Sequence, residues 1–210
     1  MPKKYKIAVL ASTNGTDLQA IIDEIDAGTL TVDLTCVISN VQACGALKKA
    51  QSANVPALFI DPKPATESNT SSDSQAPPKL TREEYDKKVA QKLDEYKVDL
   101  IVLVGYMRLF SPWFIHKYPR KIINIHPSLL PEFPGMDLDV HSAVIKAGRK
   151  KSGMTIHFVD EGMDTGEIIL QKEVELSPDE TPESLKEKVQ NLEKEWYPQV
   201  IRMFRQGEIK

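Results

Sequence analysis

The first half of the chain alternates short apolar runs with segments of helical periodicity, and few folds accommodate this alternation. The runs at Lys6–Ala11 and at residues 34–39 are almost wholly apolar, as in strands buried on both faces of a sheet. Between them, apolar residues recur at the spacing of one helix face, at Leu18, Ile21, Ile22 and Ile25. This order predicts an α/β fold, a Rossmann-like, mostly parallel sheet with helices on both faces.

The remaining elements follow from the same patterns. Apolar runs predict three more strands, at residues 55–60, 99–105 and 122–125. Two helices are predicted at residues 46–53 and 81–96, the second with Thr81 and Glu84 at capping-box spacing. Residues 61–79 between them are polar and contain no large apolar side chain, which predicts a loop insertion.

The pattern changes after residue 134. Residues 140–147 predict a helix, and residues 154–159 and 168–176 alternate apolar with polar side chains, which predicts strands with one solvated face. A last helix is predicted to begin after Thr181 and to run toward residue 204. Ser184 replaces the Glu or Gln of a capping box, so we expect an incomplete box, and we expect a break or kink at Pro198.

Composition excludes several classes of protein. The chain has 210 residues, which fits a single domain, and its net charge of -3 argues against broad nucleic-acid binding. The apolar stretch near the N-terminus is too short for a signal peptide or a membrane span, which predicts a cytoplasmic protein with no membrane partner. Two cysteines, and four histidines without HxH or HxxxH spacing, predict neither a disulfide framework nor a metal site.

The polar turn at residues 12–17 joins the first strand to the first helix. Backbone N–H groups at such a helix start can hold a phosphate, and Gly15 permits a close approach. The alternative is a simple capped turn with Thr16 or Asp17 as the N-cap. Asp17 would repel a phosphate dianion unless its carboxylate turns away or meets a ribose hydroxyl. No Walker lysine and no G-x-G-x-x-G pattern accompany this turn.

Asn124 and His126 lie one residue apart at the end of a predicted strand, so strand alternation points both side chains to the same side. Ligands of α/β proteins bind at this carboxyl edge of the sheet. The Asn124 amide can donate to a developing oxyanion, and His126 has an imidazole suited to proton transfer near neutral pH. The alternative is a histidine that is hydrogen-bonded in a loop for structural reasons.

Asp164 lies in the polar segment at residues 158–166, and its carboxylate is a candidate partner for His126. Alternatively this segment is only a connection between two strands. His157, inside the preceding strand, is either a second site group or a satisfied sheet residue, and we expect the second. No G-x-S-x-G pattern indicates a serine nucleophile, which leaves direct transfer to a bound amine.

Two segments, NIHPSLLP from Asn124 and TIHFVDEGMDTG from Thr155, resemble the phosphoribosylglycinamide formyltransferase family, and the resemblance runs nearly end to end. It implies one formyltransferase domain, with a nucleotide-binding half at about residues 1–120 and a folate-binding half at about 121–210. It also implies 10-formyltetrahydrofolate as co-substrate without a metal. The expected partners are small-molecule substrates, and the expected state is a cytoplasmic monomer or homodimer.

The resemblance also implies roles for single residues. Asn124 would stabilise the oxyanion, His126 would transfer protons, and Asp164 would assist it. The phosphoribosyl substrate would meet Asn14, Gly15, Thr16, Asp17 and Glu193. The folate would meet Arg82, Met107, Arg108, Leu109, Phe110 and Asn124.

The chain departs from the family in its first turn, where Thr13 replaces a glycine and Asp17 an asparagine. Alternative activities are those of a methionyl-tRNA formyltransferase, a formyltetrahydrofolate hydrolase and a sugar-nucleotide N-formyltransferase. A non-catalytic module that binds folate or a nucleotide is a further alternative. Retention of all three reacting residues favours an enzyme, and the chain length and first turn favour glycinamide ribonucleotide as the acceptor in purine synthesis.

Overall fold

The computed structural model describes residues 4–63, 80–135 and 140–210. In these residues seven strands form one sheet: β1 (Lys6–Ala11), β2 (Asp33–Ser39), β3 (Ala57–Phe59), β4 (Leu100–Val104), β5 (Ile122–His126), β6 (Lys151–Phe158) and β7 (Ile168–Glu175). The helices are α1 (Thr16–Asp26), α2 (Gly45–Ser52), α3 (Arg82–Tyr96), α4 (Pro112–Lys117), α5 (Val140–Lys146) and α6 (Pro182–Gln206).

The strand order is β3-β2-β1-β4-β5-β6-β7, with β1 near the centre. The first five strands in this order pair in parallel, and β6 and β7 extend the sheet in antiparallel pairing. The predicted mostly parallel sheet is therefore confirmed. The parallel strands end at one common edge, where the turn at residues 12–17 and the end of β5 lie.

Helices cover both faces of the sheet, as predicted. Alternate residues of β1 belong to different hydrophobic clusters, with Ile7 and Val9 in one and Ala8 and Leu10 in the other. The first cluster contains side chains of α1, α2, α5 and α6, and the second contains side chains of α3 and α4. Burial on both faces explains why the central strands have apolar residues at successive positions.

The solvated face predicted for residues 154–159 is wrong for β6. Residues 152–158 of this strand are all buried. Met154, Ile156 and Phe158 pack in the same cluster as α6, so the helix covers one face. On the other face, the Thr155 hydroxyl donates to the Ser128 carbonyl and accepts from the Leu130 N–H, because the loop after β5 folds over it. In contrast, β7 does alternate exposed with half-buried residues.

Of the break or kink predicted at Pro198, the break is wrong, because α6 continues through Pro198 to residue 206. Proline removes one backbone hydrogen bond from a helix, but buried residues on both sides of Pro198 hold the helix against the sheet. The capping box at its start is complete, since the Ser184 hydroxyl accepts from the Thr181 N–H at 3.0 Å. Serine therefore replaces the usual Glu or Gln.

Two further differences concern helix starts. Gly15, not Thr16 or Asp17, is the N-cap of α1, and it has a left-handed backbone with φ of 66°. The short helix α4 was not predicted, although Ser111 caps it and Pro112 begins it. The capping box of Thr81 and Glu84 is confirmed. Most of the predicted insertion, at residues 64–79, lies outside the described residues.

The described part of the chain contains no helix with the combined length and apolarity that crossing a membrane requires.

Tyr197 of α6 joins the helix to the centre of the sheet. The single proton of its buried hydroxyl is shared between the carbonyls of Leu103 and Ile123, whose oxygens lie 2.8 and 3.2 Å from the hydroxyl oxygen. We predict that Tyr197→Phe lowers the free energy of unfolding by about 1–2 kcal/mol, because the ring still fills its site but these hydrogen bonds are lost. Urea unfolding followed by circular dichroism measures the change. Tyr96→Phe, at a half-buried position, is the matched control, and equal stability of both variants would contradict the prediction.

Candidate active site

The end of β5 presents two polar side chains at the carboxyl edge of the sheet. His126 is 4% exposed, and its Nε2 lies 2.8 Å from the Phe133 carbonyl oxygen. Because a carbonyl only accepts, Nε2 carries the proton in the neutral ring and Nδ1 keeps its lone pair. Nδ1 lies 3.5 Å from Asp164 Oδ2. The structure thus holds His126 in the tautomer whose free nitrogen faces a carboxylate.

Asp164 lies in the loop between β6 and β7 and has a left-handed backbone with φ of 54°. Its Oδ2 accepts a hydrogen bond from the Gly135 N–H at 2.8 Å. Its Oδ1 lies 3.5 Å from both Asn124 Nδ2 and His157 Nε2. The three residues predicted as catalytic are therefore neighbours, although they come from two distant parts of the chain.

His157 was expected to be only a satisfied sheet residue, and the structure shows that it also belongs to this group. Its Nδ1 lies 2.8 Å from the Phe158 carbonyl oxygen and therefore donates to it. Its Nε2 lies 3.2 Å from Asn124 Nδ2 and accepts from that amide. The antiparallel register that pairs Asn124 with His157 causes this contact, and it is a long-range property of the sheet.

Burial and neighbouring charge set the ionisation of the pair. Burial lowers the pKa of His126 below its usual value, although the Asp164 carboxylate and the Phe133 carbonyl act in the opposite direction. Burial alone would raise the pKa of Asp164, but the contact with His157, the hydrogen bond from the Gly135 N–H and the neighbouring His126 ring bring it below its usual value. At neutral pH the site therefore combines a neutral His126 with an ionised Asp164.

One cavity of about 410 Å³ lies between this group and the N-terminus of α1. Of the residues predicted to bind the phosphoribosyl substrate, Asn14, Thr16, Asp17 and Glu193 line it. Gly15 does not, because it packs against α2, where a Cβ atom would lie 2.9 Å from that of Ala46. We call this the acceptor cavity.

Two buried carboxyl groups line the acceptor cavity. Asp17 of α1 is 8% exposed and Glu193 of α6 is 7% exposed. Burial raises the pKa of Asp17 to about 6, against the opposing charges of Lys194 and Lys49. Burial and the charge of Asp17 raise the pKa of Glu193 well above its usual value. The cavity is thus less negative at neutral pH than its composition implies.

A second, smaller cavity of about 60 Å³ lies on the other side of Asn124 and Asp164, which line both cavities. Its lining includes the predicted folate contacts Arg108, Leu109 and Phe110. We call it the donor cavity. Met107 lines the acceptor cavity instead. Arg82, the first residue of α3, is exposed and lines neither cavity.

A larger cavity of about 580 Å³, beside Arg149 and Glu175, contains no residue of the predicted site. Among the residues at 4–63, 80–135 and 140–210, no group of three or more His, Cys, Asp or Glu side chains is arranged to hold a metal ion.

Comparison with known proteins identifies the family of the chain. The sequence profile of the formyl transferase family matches residues 5–201. The chain belongs to this family. A phosphoribosylglycinamide formyltransferase of Bacillus subtilis is 36% identical, over 94% of this chain and 93% of its own length. The glycinamide ribonucleotide transformylase 1 structure from Symbiobacterium toebii superposes with a TM-score of 0.84 and 36% identity, over 99% of this chain and 90% of its own.

Longer relatives also contain this unit. The trifunctional purine biosynthetic protein adenosine-3 of Drosophila melanogaster is 37% identical over 98% of this chain. The chain spans only 14% of that protein's length.

The contact between His126 and Asp164 predicts a change in titration. Because the carboxylate raises the pKa of His126 against the effect of burial, Asp164→Asn should lower that pKa further. Imidazole chemical shifts of His126 in NMR spectra recorded across the pH range measure it. Asp179→Asn, at an exposed position, is the control and should leave the titration unchanged. An unchanged or raised pKa in Asp164→Asn would show that the carboxylate does not act on His126.

Proposed function

We propose that this chain transfers the formyl group of 10-formyltetrahydrofolate to the amine of glycinamide ribonucleotide. The observation that carries the proposal is the meeting of two cavities at Asn124 and Asp164, beside His126. A donor in one cavity and an amine in the other would face each other across these side chains. The names of the full-length relatives from bacteria support this acceptor over a water molecule, a transfer RNA or a sugar nucleotide.

The reaction begins when the acceptor amine attacks the formyl carbon, forming a C–N bond and an oxyanion. Asn124 has two amide N–H groups, and one is directed to His157 Nε2 at 3.2 Å. The other has only a 3.5 Å contact with Asp164, so it is available to the oxyanion. His157, bonded to the Phe158 carbonyl, fixes the orientation of the amide. The amide stabilises the charge that develops in the transition state.

Proton transfer completes the reaction. The attacking nitrogen must lose a proton, and the free Nδ1 of His126 can accept it because burial keeps the ring neutral at the start. The Asp164 carboxylate then stabilises the imidazolium at 3.5 Å. When the bond between the formyl carbon and N10 of the folate breaks, His126 gives this proton to N10. Tetrahydrofolate and the N-formylated acceptor are then released. Atoms and charge balance without a metal or a redox partner.

The acceptor cavity, of about 410 Å³, has the size of a site for a small-molecule substrate. The cytoplasmic location, the monomeric or dimeric state and the division into nucleotide-binding and folate-binding halves stay predictions. The contact of Glu193 with the substrate is supported by its position in the acceptor cavity.

The direct test mixes the purified protein with 10-formyltetrahydrofolate or its dideaza analogue, with and without glycinamide ribonucleotide. The absorbance of the folate product measures turnover. We expect product only when both substrates are present. Product without the amine would identify a hydrolase. Bound folate without turnover would contradict this acceptor, and sugar nucleotides would be tested next.

Substitutions at the reacting centre should separate chemistry from binding. We predict that Asn124→Ala lowers kcat roughly 100- to 1,000-fold, since one oxyanion donor is lost. His126→Ala should lower it by roughly 100- to 10,000-fold, since a general base is lost. Isothermal titration should show folate-analogue affinity largely unchanged in His126→Ala, because His126 does not line the donor cavity.

The exposed His116, which lies 3.1 Å from Glu161, provides the matched control, His116→Ala. This variant should keep near-normal turnover. A His126→Ala enzyme with near-normal turnover would remove His126 from the mechanism.

A further inference from the structure

The acceptor cavity contains an electrostatic conflict that the proposed function does not resolve. Asp17 and Glu193 line it with two carboxyl groups, each more than nine-tenths buried. The buried Oδ1 of Asp17 has no hydrogen-bond partner among the described residues. A phosphate monoester has a charge of about −1.5 to −2 near neutral pH. Binding it beside an ionised Asp17 would place like charges together in a desolvated site.

The charged groups around the pair offset this repulsion only in part. Lys186 lines the cavity from α6, and Lys194 of the same helix and Lys49 of α2 act on the pair from nearby. Lys49 Nζ is already bonded to the Gly15 carbonyl at 3.0 Å. The remaining titratable groups that line the cavity are Tyr106, His141 of α5 and the His126–Asp164 pair. Tyr197 of α6 is also close to the pair, but burial and the charges of Asp17 and Glu193 raise the pKa of its hydroxyl well above its usual value, so it stays neutral.

Resting on the proposed function, we infer that glycinamide ribonucleotide binds together with one proton taken up by the Asp17–Glu193 pair. The proton comes from the solvent and no covalent bond of the substrate changes. With both carboxyl groups neutral, Asp17 becomes a hydrogen-bond donor to the phosphoribosyl group and no longer repels it. Asp17 is therefore a specificity-determining residue, because it admits a phosphorylated ligand only in its neutral form.

The pH dependence of the ligand affinity follows from the ionisation of Asp17 in the free protein. In the free protein burial raises the pKa of Asp17 to about 6, so this carboxyl is mostly ionised at pH 7.5. A bound phosphate raises that pKa further, because it disfavours a second negative charge nearby. Affinity is therefore highest below the free pKa and falls as the pH rises from about 6 toward the pKa of the complex. The fall approaches about tenfold per pH unit, the limit for one proton.

Isothermal titration calorimetry of glycinamide ribonucleotide, with the full chain, tests this inference. Titrations at pH 7.5 in two buffers with different heats of ionisation give the number of protons taken up. We expect at least about half a proton per ligand for the unmodified protein and close to none for Asp17→Asn. Between pH 6.5 and 8.0 the affinity of the unmodified protein should fall by about sixfold or more, and that of Asp17→Asn by about threefold or less.

Control variants separate this effect from other titrations. The phosphate of the ligand ionises in the same way in titrations of the unmodified protein and of Asp17→Asn. Its contribution therefore cancels when the two proteins are compared. Asp23→Asn, at an exposed position of the same helix, should behave like the unmodified protein. Binding of a folate analogue shows that each variant is folded, and Asp17→Ser replaces Asp17→Asn if the asparagine variant fails this check.

The outcomes distinguish the inference from the function on which it rests. Ligand binding without proton uptake, or equal uptake in Asp17→Asn, would overturn the inference and leave the proposed function intact. No binding of glycinamide ribonucleotide at either pH, by any folded variant, would overturn both. Uptake that disappears only when Asp17 is replaced would support the inference.

Discussion

The Asp164 carboxylate holds the candidate site together. It accepts from the Gly135 N–H, and it lies 3.5 Å from ring nitrogens of both His126 and His157 and from the Asn124 amide. A half-buried carboxylate stays ionised where hydrogen-bond donors compensate for lost solvation, as the Gly135 N–H does here. Through these contacts Asp164, in the loop after β6, connects this loop to the end of β5 and to the loop after β5. The proton transfer and the oxyanion contact that we propose both depend on these contacts.

The sheet gives this group its place between two cavities. Parallel strands end at one edge, so the start of α1 and the end of β5 face the acceptor cavity together. The antiparallel strand β6 then places His157 opposite Asn124 and leads the chain back to Asp164. Asn124 and Asp164 line both cavities, so these two side chains lie where a donor in one cavity would meet an acceptor in the other. Of these two cavities, only the acceptor cavity is lined by the buried carboxyl groups of Asp17 and Glu193. The phosphate of the proposed substrate would bind near them.

The features that were predicted correctly are those that depend on the residues next to them in the sequence. Apolar runs gave the buried strands, and strand alternation placed Asn124 and His126 on one side. Predictions failed where distant packing decides: α6 runs through Pro198 because it packs on the sheet, and β6 is buried on both faces because a loop covers it. The sequence favoured the wrong one of two alternatives for His157 for the same reason, since its contact with Asn124 depends on strand register. The role of Arg82 in folate binding stays a prediction, since Arg82 lines neither cavity.

The central claim is that the formyl carbon passes directly from folate to an amine across Asn124, His126 and Asp164. The most direct measurement follows this carbon by NMR, with 10-formyltetrahydrofolate labelled with ¹³C in the formyl group and glycinamide ribonucleotide as acceptor. Direct transfer predicts that the label appears in the new formamide group of the product. One labelled product molecule forms for each tetrahydrofolate, and no labelled formate appears. Accumulation of labelled formate in the presence of the amine would contradict direct transfer.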